Sequence, residues 1–330
     1  MGLSDACDHH IIANSSYRWW AAENAMPFFS TIIPTYNRRE LLRRALKSVL
    51  AQDPVEPQVI VVDDGSTDGT MDMLAELADR VQTLRQPNRG PGAARNLGLT
   101  HATGDYVAFL DSDDVWFPWT LATYRRVIDE HNRPAFIVGR PLRFVDEAKL
   151  PDVKADALLT EAFPDYYASG DQWRWYGVSS FVIRRDALTA AGGFADTIIN
   201  GEDADLTMKL GVAPGFVQVR FPVTFAYFDH PGNITFDAEK CYHGVCWLID
   251  QERNGRYPGG APRRAERWRI LGRHARAVSL SLLNAGMRRQ AWETYRKTCL
   301  WNLTQARFRY VLGFPVKALL QRPTTGKGAA

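Results

Sequence analysis

The sequence predicts an α/β fold: a mainly parallel sheet flanked by helices, followed by a basic helical appendage. Three observations predict it. Short apolar runs such as Val59-Ile60-Val61-Val62 end in turn residues, the pattern of strands buried on both faces of a parallel sheet. Segments with helical periodicity alternate with these runs, and a βαβα order implies right-handed crossovers. Charge is divided along the 330 residues: fifteen Lys and Arg face only Glu266 and Glu293 from Arg263 to Ala330, a balance of +13 that leaves −10 for residues 1–262.

Each element follows in order. Residues 28–34 read as the first strand, and 39–52 as an amphipathic helix with Leu42, Ala45, Leu46 and Val49 on one face. Residues 59–62 form the second strand and 67–78 a helix with Met71, Leu74 and Ala78 inward. A short strand over 81–84 and a Pro-Asn-Arg-Gly-Pro-Gly loop lead to a helix over 93–100 and a strand over 106–110. Between 143 and 176 the pattern dissolves into a Pro-, Asp- and aromatic-rich stretch, read as loops over the site. A strand over 180–183, a helix over 202–210 and a strand over 223–228 complete the set.

Several classes are excluded. Asp5, Asp8, His9 and His10 precede any apolar run, unlike a secretory signal, and no stretch reaches the roughly 18 apolar residues that span a bilayer. A soluble or peripheral protein, in the cytoplasm or at the inner face of the plasma membrane, is expected. Cys7, Cys241, Cys246 and Cys299 lack paired metal spacing and read as free thiols of a reducing compartment, with Cys7, His9 and His10 in a polar terminus. There is no Gly-x-Gly-x-x-Gly after the first strand, no P-loop and no Gly-x-Ser-x-Gly elbow. No recognition module accompanies the basic tail, so no nucleic acid is expected as partner.

Two clusters of carboxylates, Asp63-Asp64 and Asp111-Ser112-Asp113-Asp114, each follow an apolar run. Ligands of open α/β sheets collect outside the carboxyl ends of the strands, so both clusters point at one crevice. Gathered carboxylates repel unless a cation or hydrogen-bonding ligand balances them. An oxygen-rich site that also receives phosphate suits Mn²⁺ or Mg²⁺.

Six motifs occur in sequence: Pro34-Thr35-Tyr36-Asn37-Arg38, Asp63-Asp64-Gly65-Ser66-Thr67-Asp68, Asn88-Arg89-Gly90-Pro91-Gly92-Ala93-Ala94-Arg95-Asn96, Asp111-Ser112-Asp113-Asp114, Gly192-Gly193-Phe194 and Glu202-Asp203. Over residues 28–235 the chain closely resembles the inverting family 2 glycosyltransferases of the GT-A fold. The resemblance implies transfer of one sugar from a nucleotide-diphosphate sugar, expected to be a UDP-sugar, to a carbohydrate, lipid-linked or small-molecule acceptor, as in bacterial cell-surface polysaccharide or glycolipid synthesis. The expected organisation is an N-terminal extension over 1–26, a catalytic domain over 27–255 divided at 115 into nucleotide-binding and acceptor halves, and a basic helical tail over 256–330.

Residue by residue, Asp64 can accept a hydrogen bond from a uracil N3–H, the role the family gives this position. Tyr36 offers a ring to stack on the base and Pro34-Thr35 backbone groups to hold it, and Asn37 beside them is also expected to bind the donor; alternatively Pro34 and Asn37 cap the next helix. Arg95, beside a helix N-terminus, faces phosphate or pairs with an acid. Asp111 and Asp113, at alternate positions of an extended segment, point the same way, one to the ribose and one to the metal; by resemblance Asp113 is the stronger metal ligand. His230 reads as a further ligand to metal or diphosphate, or as structural. Single displacement needs a carboxylate facing the acceptor hydroxyl, and Asp203 is the expected general base, with helix capping as its alternative. Glu202 and Trp175 are expected near the acceptor. A catalytically silent nucleotide-sugar-binding or scaffold protein of the same fold is the rival reading.

In the tail, Trp292, Tyr295, Cys299, Leu303, Ala306 and Tyr310 share one face of a predicted helix whose remainder is rich in Arg and Lys. Such a helix lies on an anionic membrane or docks on the acidic domain.

Overall fold

A computed structural model describes residues 28–145, 153–170, 177–195, 197, 199–230 and 237–320. Trp175, expected near the acceptor, lies outside these residues, as do Cys7, His9 and His10. Cys241, Cys246 and Cys299 are free thiols.

The sheet begins as the alternation predicts. Strand β1 (Phe29–Thr35) lies between β2 (Gln58–Asp63) and β4 (Tyr106–Phe109), parallel to both, and β3 (Gln82–Arg85) extends the parallel edge beyond β2. Helix α1 (Arg39–Leu50) makes the first crossover and buries the predicted Leu42, Ala45, Leu46 and Val49. Successive side chains on a strand leave by opposite faces, and here each face meets its own core: Ile32, Ile60, Val62 and Phe109 on one side, Ile33, Val59, Val61 and Leu110 on the other. Burying each such side chain contributes roughly 1.5–3 kcal/mol, which is why these runs carry no polar alternation.

Helix α2 (Thr70–Ala75) is shorter than the 67–78 expected. Asp68 takes Thr70 N–H and O–H at 3.1 and 2.5 Å, and Gly69 adopts φ 80°, so residues 67–69 form a turn. Asp68 also accepts from Arg39 N–H at 3.0 Å, joining the starts of α1 and α2. Helix α3 (Pro91–Leu99) starts two residues earlier than expected, with Gly90 as its N-cap and Pro91 at the first helical position, where a missing N–H costs nothing.

Beyond β4, the short β5 (Val115–Trp116) and α4 (Thr120–Glu130) lead to β6 (Phe136–Val138), β7 (Pro141–Phe144) and β8 (Leu159–Phe163). Strand β8 corrects the expectation of loops throughout 143–176: it pairs antiparallel with β10 (Phe216–Phe221) as an edge strand. Strand β9 (Phe181–Arg184) runs antiparallel between β4 and β6, followed by α5 (Arg185–Ala190) and α6 (Glu202–Lys209). The strand order is β3-β2-β1-β4-β9-β6-β10-β8, and a small second sheet joins β5, β11 (Phe225–Phe228) and β7.

The basic region packs by charge and by apolar burial. Helix α7 (Ala238–Arg253) precedes α8 (Arg264–Asn284), whose Trp268, Leu271 and Ala275 belong to the same core as Phe136 and Phe216. At its root Arg263 grips Asp165 with two 2.7 Å bonds, and Arg267 pairs with buried Glu252 at 2.6 Å. The single helix expected through Tyr310 is instead two, α9 (Arg288–Thr304) and α10 (Phe308–Leu320). Ala306 at φ 56° ends α9, with Arg307 N–H on Asn302 O and Ala306 N–H on Leu303 O, both at 2.9 Å, the paired bonds of a helix-terminating turn.

Helix α7 reaches the loop before α6 at close quarters: a Cβ on Gly244 would stand 1.6 Å from Asn200 O. Gly244→Ala therefore forces backbones apart and should lower stability by about 1–3 kcal/mol, read as a lower urea midpoint with unchanged slope; an unchanged midpoint would show that α7 can shift freely.

Candidate active site

Because β1, β2 and β4 are parallel and adjacent, their C-terminal loops open side by side. With α3, α6 and α7 they border one cleft of 670 Å³, which Pro34, Thr35, Tyr36, Asp64, Arg95, Asp111, Asp113, Glu202 and Asp203 all line. Asn37 and His230, grouped with them on sequence, are not among its lining residues.

At the ends of β1 and β2 polar side chains are used for construction. Asp64 accepts from Gln86 Nε2 at 2.8 Å, Arg89 N–H at 2.9 Å and Gly90 N–H at 2.8 Å, which fastens the loop before α3 across the end of β2. Three of its about four acceptor positions are thereby filled. Asn37, at φ 50°, takes Thr67 N–H on its side-chain oxygen and gives its own N–H to Ser66 Oγ, each at 2.8 Å. It bolts the first loop to the second. Tyr36 is 47% exposed and lines the cleft.

Residues 111–114 form a turn closed by Asp114 N–H on Asp111 O at 3.0 Å, which corrects the expectation of an extended segment with both carboxylates aligned. The two side chains diverge. Asp111 Oδ1 lies 2.6 Å from Arg95 Nη2, whereas Asp113 Oδ2 meets Arg38 Nη1 at 2.5 Å and His230 Nε2 at 3.1 Å. Arg44 holds the Asp113 carbonyl at 2.8 Å. Asp114 is buried, and that burial, then the charges of Asp113 and Asp111, push its carboxyl well above the usual range; Phe228 N–H on its Oδ1 ties the turn to β11.

Arg95 joins the two ends of the cleft. Its other terminal nitrogen is 3.0 Å from Glu202 Oε1, and its side chain is only 4% exposed. Burial by itself would lower this guanidinium, but Asp111 and Glu202 outweigh it and raise its pKa. Of the two sequence readings, phosphate or an acid, this structure puts acids on both nitrogens. Its neighbour Asn96 makes two bonds to Phe194, accepting its N–H at 2.9 Å and donating to its carbonyl at 3.1 Å, so the Gly192-Gly193-Phe194 motif clamps α3 to the segment leading into α6.

Asp203 opens α6 beside Glu202, with Ala204 N–H on its Oδ1 at 2.8 Å. Burial first, then the Glu202 charge, push its carboxyl up to about 8 against the opposing pull of Ala204 N–H and Arg95. Asp205 has different company: Tyr257 O–H at 2.9 Å and Lys209 at 2.8 Å hold it in the interior. Among the described residues no group of three or more His, Cys, Asp and Glu is gathered as a metal cage; Asp113 and His230 form a pair.

Residues 30–188 match the sequence profile of glycosyl transferase family 2. This segment is a family 2 glycosyltransferase domain. An uncharacterized glycosyltransferase of Nostoc is 46% identical over 168 residues, 48% of this chain and 51% of that protein. The succinoglycan biosynthesis protein ExoW of Rhizobium meliloti is 49% identical over 100 residues, 28% of this chain and 31% of that protein. A GalNAc(5)-diNAcBac-PP-undecaprenol beta-1,3-glucosyltransferase of Campylobacter jejuni is 38% identical over 110 residues, 32% of this chain and 36% of that protein. The chain thus spans about half or less of the length of these curated relatives. The GT-A fold is shared with S. aureus TarS in complex with UDP-GlcNAc, with TM-score 0.53 and 20% identity over 84% of this chain and 92% of that one.

Several residues of the cleft escaped the sequence reading. Arg38 stands in a quoted motif yet gained no role, because only the fold shows it reaching Asp113. Lys240 and His243 of α7 also line the cleft, and no motif marks them.

The raised Asp203 carboxyl has a consequence for stability. Its ordinary value is 3.8, so between about pH 4 and 8 the folded state holds a proton that the unfolded chain releases, and stability falls as pH rises through that window. Asp203→Asn should therefore gain on the wild type as pH goes from about 4 to 8. Denaturant titrations of the two proteins that stay parallel across this range would assign Asp203 an unperturbed carboxyl.

Proposed function

We propose that the protein moves one sugar from a nucleotide-diphosphate sugar to an acceptor hydroxyl with inversion at the anomeric carbon, in bacterial cell-surface polysaccharide or glycolipid synthesis. The observation that carries this reading is Asp203, a carboxyl with raised affinity for a proton that shares one cleft with Asp113, itself in contact with His230. A base poised near its working pH takes the acceptor's proton as the oxygen attacks, and general-base catalysis of this kind contributes about 10² to 10⁴ in rate.

The remaining parts support the same chemistry. The acceptor position left on Asp64 suits a uracil N3–H, and the exposed Tyr36 ring a stacked base, which favours a UDP-sugar. Asp113 and His230 bring a carboxylate and an imidazole to one place, a donor pair that suits Mn²⁺ or Mg²⁺ completed by diphosphate oxygens and water. Such an ion, when bound, takes up charge on the departing nucleotide diphosphate. Asp111 stays with Arg95, and Arg38, which already neutralises Asp113, is a guanidinium within the cleft for the diphosphate itself. The names of the Rhizobium and Campylobacter relatives support a polysaccharide or lipid-linked acceptor.

Incubation with UDP-, GDP- and dTDP-sugars and Mn²⁺, followed by release of free sugar, tests the reading and identifies the donor. Binding of a nucleotide sugar with no turnover in any acceptor mixture would favour the silent, sugar-nucleotide-binding alternative. Asp203→Asn should lose about 10² to 10⁴ of transfer while donor affinity stays near normal, and wild-type transfer should climb with pH through about 8 as the base ionises. Lost donor affinity with intact transfer would move Asp203 to the donor pocket.

Arg38 and a metal ion compete for the same Asp113 oxygen. Arg38→Gln should bind Mn²⁺ alone about tenfold more tightly, by loss of the free-ion electron paramagnetic resonance signal, yet bind nucleotide diphosphate more weakly. Equal Mn²⁺ affinity in both proteins would remove Arg38 from the metal's place.

A further inference from the structure

The outer face of α10 is apolar and open to solvent. Phe308, Leu312, Val316 and Leu319 recur at helical spacing and are 54%, 69%, 55% and 74% exposed, with Leu320 at 77%. On the inner side Phe314 and Ala318 are buried, Phe314 stacked on Tyr295 at 4.6 Å and edge-on to Trp292 at 5.3 Å. Trp292 and Tyr295 belong to the face that the sequence offers to a membrane; the fold turns them inward and presents a different stripe. Leu312, Val316, Lys317 and Leu320 border a surface groove along it. Scattered exposed leucines need no explanation, but an unbroken apolar stripe marks a contact surface.

Charge decides what meets this stripe. From Arg296 to Ala330 the chain has seven Lys and Arg and no Asp or Glu, and Arg309 and Lys317 sit in α10 itself. A second copy of this face would bring cation against cation. Residues 321–330 contain no large apolar side chain with which to cover it. An anionic bilayer answers both features at once, apolar side chains entering the headgroup boundary while cations meet lipid phosphate. Thirteen residues span only about 20 Å, so the helix lies along a bilayer rather than across it; among the described residues no helix is long and apolar enough to cross one. We propose that α10 seats its outer stripe in the surface of an anionic lipid bilayer. This surface is separate from the cleft and does not rest on the proposed activity.

The test is co-sedimentation of the full chain with phosphatidylcholine vesicles, with and without phosphatidylglycerol. Binding should require phosphatidylglycerol and weaken with salt, because the attraction is Coulombic. The double variant Leu312→Gln/Leu319→Gln alters exposed positions only; it should keep the wild-type melting temperature and nucleotide binding, and its vesicle affinity should fall about tenfold or more. Arg309→Gln/Lys317→Gln should flatten the salt dependence. Wild-type protein that ignores anionic vesicles at low salt, or glutamine variants that bind them undiminished, would overturn the proposal. So would a dimer in solution that the leucine variants dissociate, which would give the stripe to a second copy.

Discussion

A buried guanidinium between two carboxylates holds this cleft together. Arg95 reaches Asp111 at the end of β4 and Glu202 at the start of α6, and so spans the seam between the parallel strands and α6. Five acidic side chains, Asp111, Asp113, Asp114, Glu202 and Asp203, crowd the region, and their mutual repulsion would open it without an internal cation. Breaking a buried pair by removing one partner typically costs about 3–5 kcal/mol, because the other charge is stranded. Phe194 beneath the guanidinium at 5.2 Å and the two hydrogen bonds between Asn96 and Phe194 keep α3 in the position that this bridge requires.

The same economy governs the loops. Asp64, Asn37, Asp68 and Asn96 are short polar residues whose oxygens each take backbone N–H groups of a neighbouring segment. Such bonds stabilise by roughly 0.5–1.5 kcal/mol each, but the larger effect is on geometry, since an unsatisfied buried N–H costs about 1–3 kcal/mol and so penalises any slip of the loops. Motifs that look like a roster of ligand contacts are therefore partly a frame. In the proposed reaction the frame matters as much as the chemistry, because a base and a departing diphosphate must be held in line.

Much of this was legible before the fold. The apolar runs marked β1, β2 and β4 as strands, since a strand covered on both faces has no polar alternation to confuse it, and the acids after β2 and β4 lie at one edge because both strands run parallel to β1 between them and end on the same side. The structure does gather Asp64, Arg95, Asp111, Asp113 and Asp203 around one cleft. Less legible were elements set by local competition. Residues 67–69 have helical periodicity, yet Asp68 offers Thr70 a side-chain partner and Gly69 takes a left-handed turn. Strand β8 has no strong pattern of its own and forms because β10 offers it an edge.

What the sequence alone determined is strands β1 to β4 with the helices between them and most of the residues that could do chemistry, because these follow from side-chain periodicity and from short-range turn preferences. Tertiary structure alone decided which partner each charge takes. Arg95 could face phosphate or acid, Asp111 and Asp113 could align or diverge, and the tail could turn either apolar face outward; each alternative satisfies the local pattern equally well. The choice rests on contacts between residues far apart in sequence, such as Arg95 with Glu202, Arg38 with Asp113 and Tyr295 with Phe314 across the α9–α10 turn. Only packing sets those distances, and electrostatic and apolar contacts depend on distance first.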